Sequence, residues 1–105
     1  MREIEPYTIE MAYAIVQARK NQPSANSYAS QLLAQGTSVI AKKMGEQAMD
    51  TMIEAIAKNR GRLAAESADL LYHLLVLWAD ADLAPQDIYE MLAERMSSQP
   101  QIRAA

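Results

Sequence analysis

The run LLYHLLVLW, Leu70 to Trp78, constrains this chain more than any other stretch, because eight of its nine side chains are apolar. The segment around it, from Arg62 to Asp80, contains no glycine or proline and reads as one long helix. A helix apolar around most of its circumference belongs at the centre of a fold, where little of it meets water. The chain has 105 residues, half of them apolar, which makes one compact domain near the small end of what buries a self-sufficient core. A single hairpin with short helices around it does not cover Leu70, Leu71, Leu74, Leu75, Leu77 and Trp78 on every side. We therefore expect a twofold homodimer whose two copies share a four-helix core. Three glycines, four prolines, no phenylalanine and few β-branched residues favour helix throughout. The expected class is all-α, a bundle of about five helices without a sheet.

After Pro6, Ile9, Ala12, Tyr13 and Val16 recur at three- and four-residue steps, which predicts a first helix from Thr8 to Lys20. NQPSAN breaks it, since Pro23 lacks a backbone donor and its neighbours favour turns. SYASQLLAQG predicts a short second helix, with Ser27 as N-cap and Gly36 as a left-handed stop. Thr37 is expected to cap the third, from about Ser38 to Lys58, whose apolar side is Val39, Ile40, Met44, Ala48, Met52, Ala55 and Ile56. Met44, Met49 and Met52 read as core or dimer packing rather than a sulfur site. Asn59 to Gly61 is expected to end that helix, and the fourth then runs from Arg62. Pro85 opens a fifth helix to Met96. The domain is thus expected to span 1–96, with a frayed polar tail over 97–105.

No cysteine is present, so disulfides and thiolate metal sites are excluded and a reducing compartment is expected. MREIEPYTIE lacks the pattern of a signal peptide, and no apolar run approaches the length needed to span a bilayer. A cytoplasmic protein without membrane contact is the expectation. A net charge of −3 and a pI near 5.0 repel nucleic acid, and no local basic face is evident.

Within KKMGEQAMD and just beyond it, Glu46, Asp50 and Glu54 are spaced by four, so they drift only about 40° per step around a helix, with Gln47 beside them. On the next helix Glu66 and Asp69 are three apart, and His73 follows Asp69 by four. Counted from Gly61, Asp50 lies eleven residues before and Asp69 eight after, which predicts comparable heights on antiparallel neighbours. Carboxylates gathered at short distance repel one another unless cations neutralise them. Hard oxygen ligands select Mg²⁺ or Mn²⁺. The chemistry suggested is metal-assisted attack of water on a phosphoanhydride. Each piece also has an ordinary reading. The ladder can be a solvated face paired with Lys42, Lys43 or Lys58, the acids Glu66 and Asp69 can answer the helix dipole, and His73 can be a hydrogen-bonded core residue.

Taken together and in order, SYASQLLAQG, KKMGEQAMD and ESADLLYHLLVL resemble the signature blocks of the phosphoribosyl-ATP pyrophosphohydrolase family, over about Ile9 to Ala93. That family belongs to the all-α, MazG-like nucleoside triphosphate pyrophosphohydrolases, which pair an E-E-x-x-E helix with an E-x-x-D helix and bind Mg²⁺. The resemblance implies a helical homodimer that hydrolyses phosphoribosyl-ATP to phosphoribosyl-AMP and pyrophosphate, the second step of histidine biosynthesis. By position, E-E-x-x-E falls on Glu46, Gln47 and Asp50, and E-x-x-D on Glu66 and Asp69. The resemblance makes Glu46, Asp50, Glu66 and Asp69 catalytic, and adds Gln47 to them as metal ligands. Gln47 departs from the pattern by contributing no charge, and Asp50 by a side chain one methylene shorter.

Lys42 and Lys43 precede the acids by about one turn, so one of them can contact a phosphate while the other points to solvent, and Arg60 and Arg62 can do likewise. Ser27 and Tyr28 open the motif that the resemblance places near the substrate, with packing as the other reading of Tyr28. Basic residues at a helix end and a capping serine have dipole and capping readings beside that one. The resemblance expects His73 without giving its role; we read it as orienting a carboxylate behind the ligands, where Glu54 can also fill in. Two further readings stay open from the sequence. One is a weakened or non-catalytic dimer binding a nucleotide or a protein; the other is a hydrolase for another nucleoside triphosphate.

Overall fold

The computed structural model describes residues 8–99, and all of their regular structure is helical. The helices are α1 (Thr8–Asn21), α2 (Tyr28–Gln35), α3 (Thr37–Ile56), α4 (Arg60–Asp80) and α5 (Pro85–Ser98). Pro6 and residues 100–105 of the expected tail lie outside the described residues.

The α3–α4 hairpin is the spine, with α1 against α4 and α2 wedged among α1, α3 and α4. Its buried core is Val16, Ala29, Leu32, Ile40, Val76 and Ala79. Ile40 lies near the start of α3 and Val76 and Ala79 near the end of α4, with Val16 of α1 and Ala29 and Leu32 of α2 packed against them, so the core occupies the end of the hairpin away from its turn. Leu75, Val76 and Ala79 on α4 are buried as expected of the central helix. Leu71, one turn earlier, is 46% exposed, so α4 is covered only in its second half. Polar ties close this end. Lys20 Nζ donates to the Ala79 carbonyl at 2.7 Å and to Asp82 at 2.6 Å, and the Tyr13 hydroxyl donates to the Leu83 carbonyl at 2.7 Å. Burial pushes the Tyr13 phenol above its ordinary pKa.

The connections differ from the sequence expectation in ways that move the site. Ser27 caps α2 as expected, its Oγ accepting from the Ser30 N–H at 3.2 Å. Gly36 ends α2 at φ 91° and ψ 170°, a region open essentially to glycine alone. A Cβ built there meets nothing within 4 Å, so backbone strain is the whole cost of a substitution. Gly36→Ala should destabilise the fold by about 1–3 kcal/mol, read as a lower midpoint of urea unfolding. Thr37 is not a cap: it lies inside α3, and its hydroxyl donates to Asp80 Oδ2 at 2.6 Å, tying the start of α3 to the end of α4.

At the other end, α3 stops at Ile56 and the chain reverses through Lys58 in the left-handed region at φ 59°. Asn59 then caps α4, its Oδ1 accepting from the Arg62 N–H at 3.1 Å, so Gly61 sits in the first turn of α4 instead of ending α3. Arg60 and Arg62 therefore stand at a helix N-terminus, where the dipole disfavours cations and does not account for them. α5 continues past Met96 through Ser98, whose hydroxyl donates to the Glu94 carbonyl at 2.9 Å.

The second half of α3 turns its polar residues inward. Gln47, Thr51 and Glu54 bond to α4, whereas Met49, Met52, Ile53 and Ile56 face outward, Ile56 with 81% of its surface exposed. Of the apolar side read from the sequence, Ile40 is buried and Val39, Met44 and Ala48 are half-buried, but Met52, Ala55 and Ile56 are exposed in the single chain. At 100° per residue, Ile56 stands about 180° from Gln47 around the helix axis.

Candidate functional site

Two side-chain contacts fix how the acidic blocks meet. The Gln47 amide nitrogen donates to the Glu66 carboxylate and, at 3.2 Å, to the Glu66 backbone carbonyl. Farther toward the turn, Arg62 Nε donates to Glu54 Oε2 at 2.8 Å. Both partners of Gln47 only accept, so its amide orientation follows from chemistry, with the carbonyl oxygen directed away from them. With Gln47 level with Glu66 and Glu54 near Arg62, Glu46 comes roughly level with Asp69 and Asp50 with Glu66. The comparable heights expected for Asp50 and Asp69 are therefore not found. The reversal is centred near Lys58 rather than Gly61, and a shift of about three residues along an antiparallel pair exchanges the partners. The register thus defines two acidic rungs by height along the helix axes, Glu46 with Asp69 and Asp50 with Glu66, and the Gln47–Glu66 bond lies beside the second.

The Glu46, Asp50 and Asp69 side chains are exposed, and their carboxylates have no hydrogen-bond or ion-pair partner among the described residues. Glu66 is half-buried beneath Gln47. Among the described residues no three acidic or histidine side chains already converge on one point. The donor set nonetheless fits a hard divalent cation, being carboxylate oxygen from two facing helices, with an amide oxygen at Gln47 that is not consumed by its hydrogen bonds.

Thr51, which sequence reasoning passed over, braces this centre: its hydroxyl donates to the Gln47 backbone carbonyl at 2.8 Å and lies 3.3 Å from the Glu66 backbone carbonyl. Its spacing of four from Gln47 is the signal that places it on the same face. Glu54 is held away from the rungs by Arg62; its side chain is only 16% exposed. Hydrogen bonding to Glu54 raises the Arg62 pKa further, so the guanidinium stays charged.

The basic candidates separate in the same frame. Lys42, Lys43 and Arg60 are exposed, and their side chains have no hydrogen-bond or ion-pair partner among the described residues. Lys43 lies about 40° around α3 from Gln47, on the acidic side, and Lys42 about 140° away. His73 does not touch the Asp69 carboxylate. Its Nδ1 lies 2.8 Å from the Asp69 backbone carbonyl and its Nε2 3.0 Å from the Tyr28 hydroxyl.

A glutamate at position 47 would meet two acceptors instead of donating to them. Gln47→Glu should lower the stability of the metal-free protein by roughly 1–2 kcal/mol and steepen the rise of its melting temperature with added Mn²⁺. Calorimetric scans with and without the ion read both effects.

The two facing blocks, Glu46 to Asp50 and Glu66 to Asp69, lie within residues 10–96, which match the description "Phosphoribosyl-ATP pyrophosphohydrolase". The chain belongs to this family. It is 48% identical over 93 residues to a phosphoribosyl-ATP pyrophosphatase of Azospirillum brasilense, covering 89% of this chain and 84% of that one. A phosphoribosyl-ATP pyrophosphatase of Paramagnetospirillum magneticum is 41% identical over 83% of this chain and 80% of its own. The histidine biosynthesis bifunctional protein HisIE of Campylobacter jejuni is 43% identical over 77% of this chain, but over only 39% of its own length. The family's all-α fold agrees with the five helices, and no helix among the described residues is long and apolar enough to cross a membrane.

Proposed function

We propose that this chain hydrolyses phosphoribosyl-ATP to phosphoribosyl-AMP and pyrophosphate in the cytoplasm, with Mg²⁺, or Mn²⁺ in its place. The observation that carries the reading is the Gln47–Glu66 bond, which joins the two acidic blocks across the hairpin. Glu46, Asp50, Glu66 and Asp69 are the residues that would hold the ion, with the Gln47 amide oxygen. When bound, such an ion offsets the charge of the phosphates and polarises the phosphoryl oxygens toward attack by water. The chain's own part is to orient these groups. Gln47 and Thr51 fix Glu66, the unpartnered Lys43 is available to a phosphate oxygen, and Arg60 extends the same positive character toward the turn. The names of the similar enzymes support this choice of substrate over other nucleoside triphosphates.

Phosphorus NMR of phosphoribosyl-ATP with the protein and Mg²⁺ tests the reading. Pyrophosphate and phosphoribosyl-AMP should appear, with little product from ATP or dATP. Equal turnover of those triphosphates would make the chain a broader nucleotide hydrolase, and no pyrophosphate at all would remove the enzymatic reading.

The reading includes a twofold homodimer. Met49, Met52, Ile53 and Ile56 form a continuous apolar face on the back of α3, and Leu71 on α4 is also exposed. A second copy packing its α3–α4 hairpin there would complete a four-helix core. Ile53→Asp puts a charge into that contact. Sedimentation at micromolar concentration should give dimer for the wild type and monomer for the variant.

A further inference from the structure

Tyr28 is the one exposed aromatic ring among the described residues, with 48% of its surface open, yet it is fixed on two sides. Its ring lies near-parallel to Tyr72, with centroids 6.1 Å apart and planes 25° from each other. The His73 ring stands nearly perpendicular to it, at a centroid distance of 5.8 Å. The hydroxyl is 3.0 Å from His73 Nε2, and His73 Nδ1 is 2.8 Å from the Asp69 carbonyl oxygen. That carbonyl only accepts, so Nδ1 carries the proton. In the neutral imidazole Nε2 is then a bare acceptor, and the Tyr28 hydroxyl donates to it. Two bonds donated in one direction thus run from α2 through His73 to the backbone of Asp69, one residue of the acidic rungs.

An exposed ring ordinarily has rotational freedom; this one is held by a hydrogen bond at its hydroxyl and by rings at its side. A preset aromatic face loses little freedom when a flat ring stacks on it. We propose that Tyr28 is the platform on which the adenine of the nucleotide stacks, and that His73 is the positioning residue that holds it, in the tautomer protonated at Nδ1. This rests on the nucleotide substrate proposed above. Because the relay ends on Asp69, the platform and the phosphate-handling acids share one reference point on α4. Tyr72, stacked behind Tyr28, completes the support, and burial raises its phenol pKa, so it stays neutral.

Binding of AMP without divalent ion tests the platform independently of turnover. In the wild type, the adenine H2 and H8 resonances should shift upfield as the base enters the ring current of Tyr28. Tyr28→Leu should abolish that shift and weaken AMP binding roughly tenfold to a hundredfold, the range for losing one base–aromatic stack. Tyr28→Phe keeps the ring but loses its tie to His73, so it should retain the shift and bind AMP more weakly than the wild type but more tightly than Tyr28→Leu, which separates stacking from any loss of folding. Long-range proton–nitrogen spectra of the wild type should report His73 protonated at Nδ1, and Tyr28→Phe should change the Nε2 shift. With phosphoribosyl-ATP, Tyr28→Leu should raise KM by the same factor, kcat changing less. AMP signals that do not move in the wild type, or a folded Tyr28→Leu that binds AMP as well as the wild type, would overturn the platform. Neither result would touch the hydrolase reading, which fails only if the wild type releases no pyrophosphate.

Discussion

Glu66→Gln should cut pyrophosphate release at least ~100-fold while leaving the protein folded. The reason lies in what each version of the side chain can do. In the wild type Glu66 accepts from the Gln47 amide, and an amide oxygen at position 66 accepts the same hydrogen bond, so the α3–α4 contact survives. What disappears is one of the four carboxylate charges shared by the two rungs. Removing groups that merely orient metal ligands already costs about 10- to 100-fold in affinity or activity, and a ligand itself should cost no less. Glu46→Gln, on an exposed side chain, is a useful companion, because its effect on folding should be negligible. If Glu66→Gln kept wild-type turnover, the acids of the hairpin would not be the catalytic centre.

Leu32→Ala should be the most damaging change to the fold. Leu32 is fully buried within the cluster that joins α2 to Val16, Ile40 and Val76. Removing its branched end from such a site leaves a cavity and costs about 2–5 kcal/mol, out of a total near 5–15 kcal/mol for a domain. The melting temperature should fall by roughly 8–40 °C, since each kcal/mol shifts a domain of this size by about 4–8 °C. The buried core is short and lies at the far end of the hairpin from the turn, so few other residues share the load. Ile56→Ala is the informative contrast. Ile56 is exposed in the single chain, so a cost well above about 0.5 kcal/mol there would mean that a second copy covers it.

Much of this was legible in the sequence, and the reasons differ from element to element. Helix order, the Ser27 cap and the burial of Leu75 and Val76 follow from period and composition, which local and core forces obey together. The turn was misread because Gly61 advertises a helix end, whereas the left-handed position is taken by Lys58, a residue that pays a steric cost there. That error of about three residues was enough to pair Asp50 with the wrong acid. The back of α3 shows a different limit. Periodicity identifies an apolar set, but it cannot say that polar Gln47, Thr51 and Glu54 bond across the hairpin while Met52 and Ile56 face out. That choice depends on partners in α4. His73 is similar: its expected role was to orient a carboxylate, but the imidazole reaches the Asp69 backbone and Tyr28 on a different helix.

The most direct test of the account is a crystal of this protein grown with Mn²⁺ and phosphoribosyl-AMP and measured at an anomalous wavelength. A manganese peak between α3 and α4, with carboxylate oxygens of Glu46 or Asp50 on one side and Glu66 or Asp69 on the other, is the expected result. A nucleotide bound with its phosphates elsewhere, and no anomalous signal between these helices at millimolar Mn²⁺, would contradict it.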